Sequence, residues 1–248
     1  MLMTPALVAV SLAPCPPQEP AKTAEPAPAQ VKQLSDSDAR AAVKAFKKHA
    51  RNKKVRLADR VKAVEELGSA SHKLLVTPLV KAVRADKSLV VRKTAAAALG
   101  HQPAKQTRPQ LLKLLDEKRA PEVLAVLIDS LSSAGYHPRD WKTIERLFEK
   151  DFGEKYVAVQ QSVLRLAVAH EEKQSWRLLS RHLDEPMPVD VDAPDNPPAE
   201  YWERRWKAWR IWRADVKEAL FALTGQRFSS QKETKLWIKK NGARLGLK

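Results

Sequence analysis

One spacing recurs along this sequence, and it limits the possible folds more than any other feature. Two sets of four residues share the same internal spacing, 32 positions apart: Arg60, Ala63, Leu67, Gly68 and Arg92, Ala95, Leu99, Gly100. Leu131 occupies the apolar position one period after Leu99, and residues 158–167 give a weaker copy after a slightly longer interval. A fixed period of this size is typical of a solenoid, in which helical hairpins that cannot bury themselves alone stack on one another.

The second copy, residues 86–100, predicts one helix with defined ends. Asp86 and Ser88 carry short polar side chains of the kind that accept the first free N–H groups of a helix. Gly100 should end this helix in a left-handed turn. The four residues expected on the apolar side are Val91, Ala95, Ala98 and Leu99.

At these residues the chain resembles HEAT and HEAT-like repeat proteins, whose second helices repeat an Asp, a Val-Arg pair, spaced alanines and a Leu-Gly end. The resemblance extends over roughly residues 35–185 and implies that Asp86 and Arg92 form hydrogen bonds between neighbouring repeats instead of binding a ligand. Seven glycines are few, and strand-type alternation is absent. We therefore predict an all-α fold, a right-handed α-solenoid with HEAT-like repeats over residues 34–185.

Prolines mark the expected starts of first helices in the later repeats. Pro109 suits the first turn of a helix in the third repeat, and Pro138 leads the fourth. Pro78 either bends the first helix of the second repeat or marks its start.

The N-terminal segment predicts export from the cytoplasm. Residues 1–13 form a leader whose apolar run resembles the hydrophobic part of a secretory signal, although no basic residue precedes it. Residues 14–33, rich in proline and alanine, predict an extended linker. The single cysteine, Cys15, permits no internal disulfide, and Pro14 before it disfavours lipidation. A periplasmic or secreted protein is the expectation, and a cytoplasmic leader is the alternative.

The net charge of +16 predicts attraction to polyanions. Basic residues recur on one side of the first predicted helix, and we call this set the basic stripe: Arg40, Lys44, Lys47, Lys48 and Arg51. Lys53 and Lys54 follow it directly. Like charges at this spacing repel one another. The stripe therefore indicates either an anionic partner or an ordinary solvated surface of a basic protein.

The C-terminal region differs from the repeats. Residues 186–198 predict an acidic, proline-rich loop whose spacing does not fit an EF-hand calcium site. Residues 199–248 predict two capping helices, and the first carries a stripe of large apolar residues: Trp202, Trp206, Trp209, Val216, Leu220 and Leu223, with Trp212 at its margin. Arg210 and Arg213 alternate with the rings, so this helix is either a core cap or a ligand groove for a partner or bases.

The last helix should begin with a capping box at Ser230 and Glu233 and point Leu236, Trp237 and Leu245 inward. Residues 223–229, followed by Trp237, resemble the C-terminal segment of some exported bacterial HEAT-repeat proteins.

No catalytic arrangement follows from the spacing of residues. His101, His137 and His170 fall at successive ends of second helices, where a favourable helix-dipole contact explains them better than metal binding. We expect no cofactor, no metal and no catalysis.

The leading hypothesis is a scaffold that binds another protein or an acidic polymer. The alternatives are a nucleic-acid-binding or DNA-base repair protein of HEAT-like fold, which some base glycosylases have, and a structural module of an envelope assembly.

Overall fold

The structure, a computed structural model, describes residues 31–50, 55–188, 190–191 and 193–247, and within these ranges it forms eleven α-helices. Their bounds are α1 (Asp36–Ala50), α2 (Leu57–Gly68), α3 (Lys73–Ala85), α4 (Leu89–Leu99), α5 (Ala104–Asp116), α6 (Pro121–Gly135), α7 (Trp141–Phe148), α8 (Val157–Ala169), α9 (Trp176–Arg181), α10 (Ala199–Thr224) and α11 (Gln231–Leu245). None of these helices is long and apolar enough to cross a lipid bilayer. The predicted leader and Cys15 lie outside the described residues.

Consecutive helices pair into five hairpins that stack in chain order. Each odd-numbered helix from α1 to α9 packs against the even-numbered helix that follows it. The second helices of the hairpins, α2, α4, α6, α8 and α10, pack in an unbroken series, and α11 packs on α9. One apolar cluster extends through the stack from Ala39 to Phe228. This arrangement confirms the predicted all-α solenoid, whereas its right-handed sense stays a prediction.

Small residues allow the second helices to approach one another closely. A methyl group placed on Gly68 of α2 would lie 2.5 Å from the Cβ atom of Ala98 in α4. One repeat later, a methyl group on Gly100 would lie 3.3 Å from the Cα atom of Ser130 in α6. The expected left-handed turn at Gly100 is wrong, because its φ of −61° is that of a right-handed helix. Glycine at position 100 therefore lets α4 lie close to α6, and its backbone conformation is one that any residue can adopt.

Two short strands add a feature that the sequence did not predict. Residues Lys32–Gln33 (β1) pair in parallel with Ala70–Ser71 (β2), in the loop after α2. The N–H of Leu34 extends this pairing to the carbonyl oxygen of Ser71 at 3.3 Å. The end of the predicted linker is therefore bound to the loop between the first two hairpins.

The first helices of the second and third repeats begin earlier than their prolines suggest. Pro78 lies inside α3, and Pro109 lies inside α5, beyond the first turn that begins at Ala104, so its predicted place is wrong. Pro138 does lead its helix: it opens a 3₁₀ turn, Pro138–Asp140, directly before α7. His137 caps this turn through its Nδ1 atom, which accepts the N–H of Arg139 at 3.1 Å.

The predicted start of α4 also differs. Asp86 is the residue that ends α3, and Ser88 precedes α4 without a side-chain bond to its N–H groups. The Oδ1 atom of Asp86 instead accepts the N–H of Ser88 at 2.8 Å, which fixes the turn between the two helices.

The tryptophan-rich helix α10 is largely core, with a different centre from the predicted one. Trp212, expected at the margin, is only 1% exposed, and Trp209 is 7% exposed. The Nε1 atom of Trp212 donates to Oε1 of Gln160 in α8 at 2.9 Å. Its ring meets Phe148 of α7 edge-on, at a centroid distance of 5.2 Å. The helix thus covers the fourth hairpin, as a cap would.

In α11 the predicted inward position of Leu236 is wrong, since this side chain is 56% exposed. Ile238 is buried in its place.

The capping box is present in altered form. The Oγ atom of Ser230 accepts the N–H of Glu233 at 3.2 Å, and the carboxylate of Glu233 binds Ser229 instead of the Ser230 backbone.

The close contact between α2 and α4 gives a first prediction. Gly68→Ala should lower the free energy of unfolding by about 1–3 kcal/mol, because the added methyl group overlaps Ala98. Gly153→Ala is the control: its nearest contact would be the Asp151 side chain at 3.5 Å. Urea denaturation measures both. Adding Ala98→Gly to Gly68→Ala should recover at least about 0.5 kcal/mol beyond the sum of the single effects. Equal stability of Gly68→Ala and the parent chain would contradict the contact.

Candidate interaction surface

The predicted basic stripe lies on the solvent-facing side of α1. Four of its members are described and exposed: Arg40, Lys44, Lys47 and Lys48. On the other side of the helix, Ala39 and Phe46 are buried in the core. Among the described residues, no side chain forms a hydrogen bond or an ion pair with any of these four cations. Outside the described residues lie three further predicted binding residues: Arg51, Lys53 and Lys54.

Arginines elsewhere in the stack behave differently, because they pair with carboxylates of a neighbouring hairpin. Six such pairs join residues 26 to 36 positions apart: Arg60–Asp86, Arg84–Glu117, Arg108–Asp140, Arg146–Asp116, Arg165–Asp129 and Arg181–Glu145. Those of the pairs that are exposed, such as Arg146–Asp116 and Arg165–Asp129, contribute about 0–1 kcal/mol each. The carboxylates nevertheless neutralise the charge of these arginines. The cations of the basic stripe have no carboxylate partner within the described ranges.

Asp86 has the role that the resemblance implied, but its partner is another arginine. One terminal nitrogen of Arg60 donates to both carboxylate oxygens of Asp86, at 2.7 and 2.8 Å, in a site where both side chains are mostly buried. Arg92, the equivalent of Arg60 one repeat later, has no such bond, and its buried Nε atom has no partner among the described residues. Lys118 stands one full period after Asp86, so a cation occupies the position of the expected acceptor.

Arg210 and Arg213, the other predicted binding residues, cover aromatic rings of their own helix. The guanidinium carbon of Arg210 lies 4.7 Å from the centre of the Trp206 ring, and that of Arg213 lies 5.0 Å from Trp209. Such cation–π contacts contribute about 0.5–1 kcal/mol when exposed. The structure does not unite these arginines with the basic stripe, because α10 belongs to the fifth hairpin and α1 to the first.

The rings of α10 do not form an open stacking platform. Trp209 and Trp212 are buried, and Trp206 is half-buried beneath Arg210. Ile211, which is 52% exposed, lies beside Trp206 at a shallow surface depression. The stripe is therefore core from Trp209 to Leu220, and both of its ends, at Trp202 and Trp206 and at Leu223, are half-buried.

Two acidic residues directly before the predicted acidic loop, Asp184 and Glu185, contact the C-terminal helices. The carboxylate of Asp184 accepts the N–H of Gln231 at 3.0 Å, at the start of α11. Glu185 accepts a hydrogen bond from the indole N–H of Trp206. Within the described parts of the chain, no three histidine, cysteine, aspartate or glutamate side chains converge as metal ligands would.

The three histidines predicted at ends of second helices have different roles. His137 caps the start of the next hairpin instead, so the predicted contact with the end of α6 is wrong for it. His170 does follow α8, where its Nε2 atom lies 2.9 Å from Oγ of Ser132 in α6. His101 is exposed just after α4.

A buried histidine, His182, is a feature that the sequence did not indicate. Its ring is 7% exposed and packs against Phe148 and Trp212, with centroids 4.9 and 5.5 Å away. The Nε2 atom lies 3.8 Å from Glu149, which is too long for a hydrogen bond. Burial lowers the pKa of His182 and outweighs the attraction of Glu149. The neighbouring His182, with Arg181, in turn holds the pKa of Glu149 below its usual range.

Gln160 is the second residue that sequence reasoning missed. It is fully buried in α8, and its Nε2 atom donates to the carbonyl oxygens of Phe148 and Asp151 at 3.3 and 3.2 Å. With the bond from Trp212, this one amide joins α8, the end of α7 and α10. One sequence feature could have indicated this role: Gln160 is a polar residue on the apolar side of its helix, three positions from both Val157 and Val163.

The lowered pKa of His182 predicts a pH-dependent stability. Below the ordinary pKa of about 6.5, the unfolded chain takes up a proton that the folded chain refuses. The free energy of unfolding should therefore fall as the pH drops from 7 to 5, by at most about 1.4 kcal/mol per pH unit. His182→Gln should flatten this dependence in urea denaturation series, and the exposed control His101→Gln should keep it. Parallel pH profiles for both variants would show that His182 does not titrate in this range.

Comparison with known proteins agrees with this architecture. Residues 50–132, about a third of the chain, match the family model for HEAT repeats. No curated protein and no solved structure matches the chain. HEAT repeats generally act as scaffolds for protein interaction and are typically non-catalytic. The matched segment covers α2 to most of α6, and the hairpins on either side continue the same stack. The chain is thus similar to HEAT-repeat proteins, with the similarity located in its first three hairpins.

Proposed function

We propose that the protein is a non-catalytic scaffold that binds a negatively charged partner, another protein or an acidic polymer, through the basic stripe of α1. The observation that carries this proposal is the contrast in pairing. Six arginines at the contacts between hairpins have carboxylate partners, whereas Arg40, Lys44, Lys47 and Lys48 have none within the described residues.

The physical argument rests on where the unneutralised charge lies. Lys44 and Lys48 are four positions apart on one exposed helix side, and so are Arg40 and Lys44, so each pair repels by about 0.2–0.5 kcal/mol. A bound anion replaces this repulsion with attraction. The net charge of +16 adds a long-range attraction that speeds encounter with an acidic partner. A docked acidic partner is therefore expected to gain attraction at this stripe.

Export to the periplasm or the cell exterior is the second part of the proposal, and the leader sequence at residues 1–13 supports it. Mass spectrometry of the native N-terminus tests it. Cleavage between Ala13 and Pro20 is expected, and a mature chain that still begins at Met1 would contradict export.

Nucleic-acid binding is the second candidate function. Trp206, half-buried beside Arg210 and Lys207, is the observation that favours it, because base stacking beside cations is a common mode of single-strand binding. The burial of Trp209 and Trp212 weighs against it. Titrating labelled DNA at several salt concentrations decides, since phosphate contacts give a steep fall of affinity with salt.

Reversing three charges of the stripe tests the main proposal. Lys44→Glu, Lys47→Glu and Lys48→Glu together should abolish retention on an immobilised acidic polypeptide at about 0.15 M salt, where charges beyond about 8 Å are screened. The control carries the same change of charge on α11, at three exposed lysines: Lys235→Glu, Lys239→Glu and Lys240→Glu. It should be retained nearly as well as the parent chain.

Two results would contradict the proposal. Equal loss of retention in both triple variants would mean that net charge alone governs binding. Unchanged retention of the α1 variant would remove the stripe as the binding site. Circular dichroism of each variant checks that the helices are intact.

A further inference from the structure

Positive charge is distributed unequally between the two layers of the stack. The first helices of the five hairpins (α1, α3, α5, α7 and α9) carry fourteen lysines and arginines against four aspartates and glutamates. The second helices of the same hairpins (α2, α4, α6, α8 and α10) carry eleven lysines and arginines against nine aspartates and glutamates. The excess charge of the repeats therefore lies mostly on one layer, and it extends well beyond the basic stripe of α1.

Within this layer, one cation recurs in every hairpin at intervals of 32 to 37 residues, close to the period of the repeats. Each is exposed and lies two positions before a buried apolar side chain. These residues form what we call the cation row: Lys44, Lys81, Lys113, Arg146 and Arg181. The buried residues that follow them are Phe46, Val83, Leu115, Phe148 and Leu183. Because the hairpins stack in order, the five cations follow one another across the surface of the first helices.

The two ends of the cation row differ in neutralisation. Arg146 pairs with Asp116 at 3.4 Å, and Arg181 pairs with Glu145 and Glu149, each at 2.9 Å. Lys44, Lys81 and Lys113 have no side-chain partner within the ranges that the structure describes. The open part of the row therefore spans the first three hairpins, and packed helices are about 8–10 Å apart. Its three lysines extend over roughly 16–20 Å.

We infer that the open cation row binds an extended acidic polypeptide segment that crosses α1, α3 and α5, with one carboxylate for each hairpin. This inference rests on the proposed function and names the partner chemistry. In the polyproline II conformation an extended chain has three residues per turn and advances about 3.1 Å per residue, so every third side chain recurs on the same face at about 9 Å, close to the spacing of the hairpins. A segment of about seven to nine residues spans the three lysines.

Carboxylates fit the cation row better than phosphates do. The far end of the row already holds carboxylates, those of Asp116, Glu145 and Glu149, against the same row of cations. Duplex DNA carries one negative charge per about 1.7 Å of its axis, far denser than one cation per about 8–10 Å.

Fluorescence anisotropy with the full chain tests the inference. The probe is a labelled peptide of about nine residues with glutamate at every third position, separated by glycine and serine. The test variant is Lys81→Glu with Lys113→Glu, which leaves the basic stripe of α1 intact. The control is Lys239→Glu with Lys240→Glu, an equal charge change on α11. The test variant should bind the peptide at least tenfold more weakly, and the control should change affinity less than threefold.

The outcomes separate this inference from the proposed function. If Lys44→Glu, Lys47→Glu and Lys48→Glu weaken peptide binding and the Lys81 and Lys113 variant does not, the row is overturned and the α1 stripe stands. If a peptide with its three glutamates adjacent binds equally well, the inference of one carboxylate for each hairpin is wrong. Displacement of the peptide by duplex DNA at a far lower charge concentration would identify nucleic acid as the occupant and overturn the inference. Circular dichroism shows whether each variant is folded.

Discussion

The close approach of the second helices is the constraint on which the other features depend. A methyl group on Gly68 would overlap Ala98, and one on Gly100 would lie tightly against Ser130. The hydroxyl of Ser130 donates to the carbonyl oxygen of Ala96 at 2.8 Å. This contact sets the distance between hairpins. The pairing of loops and the ion pairs between hairpins follow from it, because each joins groups about one repeat apart.

The same constraint explains where the charge lies. A second helix is covered by its own hairpin and by second helices on both sides, so small and apolar residues dominate its surface. The first helices have a wider solvent-facing side, and that side carries the lysines and arginines. A scaffold built in this way separates its structural layer from its binding layer. Substitutions in the basic layer can therefore change partner preference while the contacts of Gly68 and Gly100 hold the stack.

The sequence predicted the architecture because a fixed period, such as that from Arg60 to Arg92, is a direct consequence of stacked hairpins. The sequence did not predict where α5 begins or which side chains of α10 are buried, because contacts with other repeats determine both. The start of α5 has no apolar periodicity before Leu111, so Pro109 was mistaken for the first turn. Trp212 is central because Gln160 and Phe148, which are distant in the chain, face it. The exposure of the basic stripe followed from helical spacing, but its lack of partners did not, since such partners lie about one repeat away. The cation row becomes visible only when the buried residues fix the register of each helix.

The pair of Arg60 and Asp86 has a consequence for how the repeats relate to one another. One period later in the sequence, Lys118 stands at the position of Asp86 and Arg92 at that of Arg60. Deleting one repeat unit would therefore leave the mostly buried guanidinium of Arg60 without the carboxylate that it now binds. The units are therefore not interchangeable modules. Their order depends on which ion pairs form at the junctions, and a chain shortened by the second repeat would lack the counter-charge that Arg60 has in this stack.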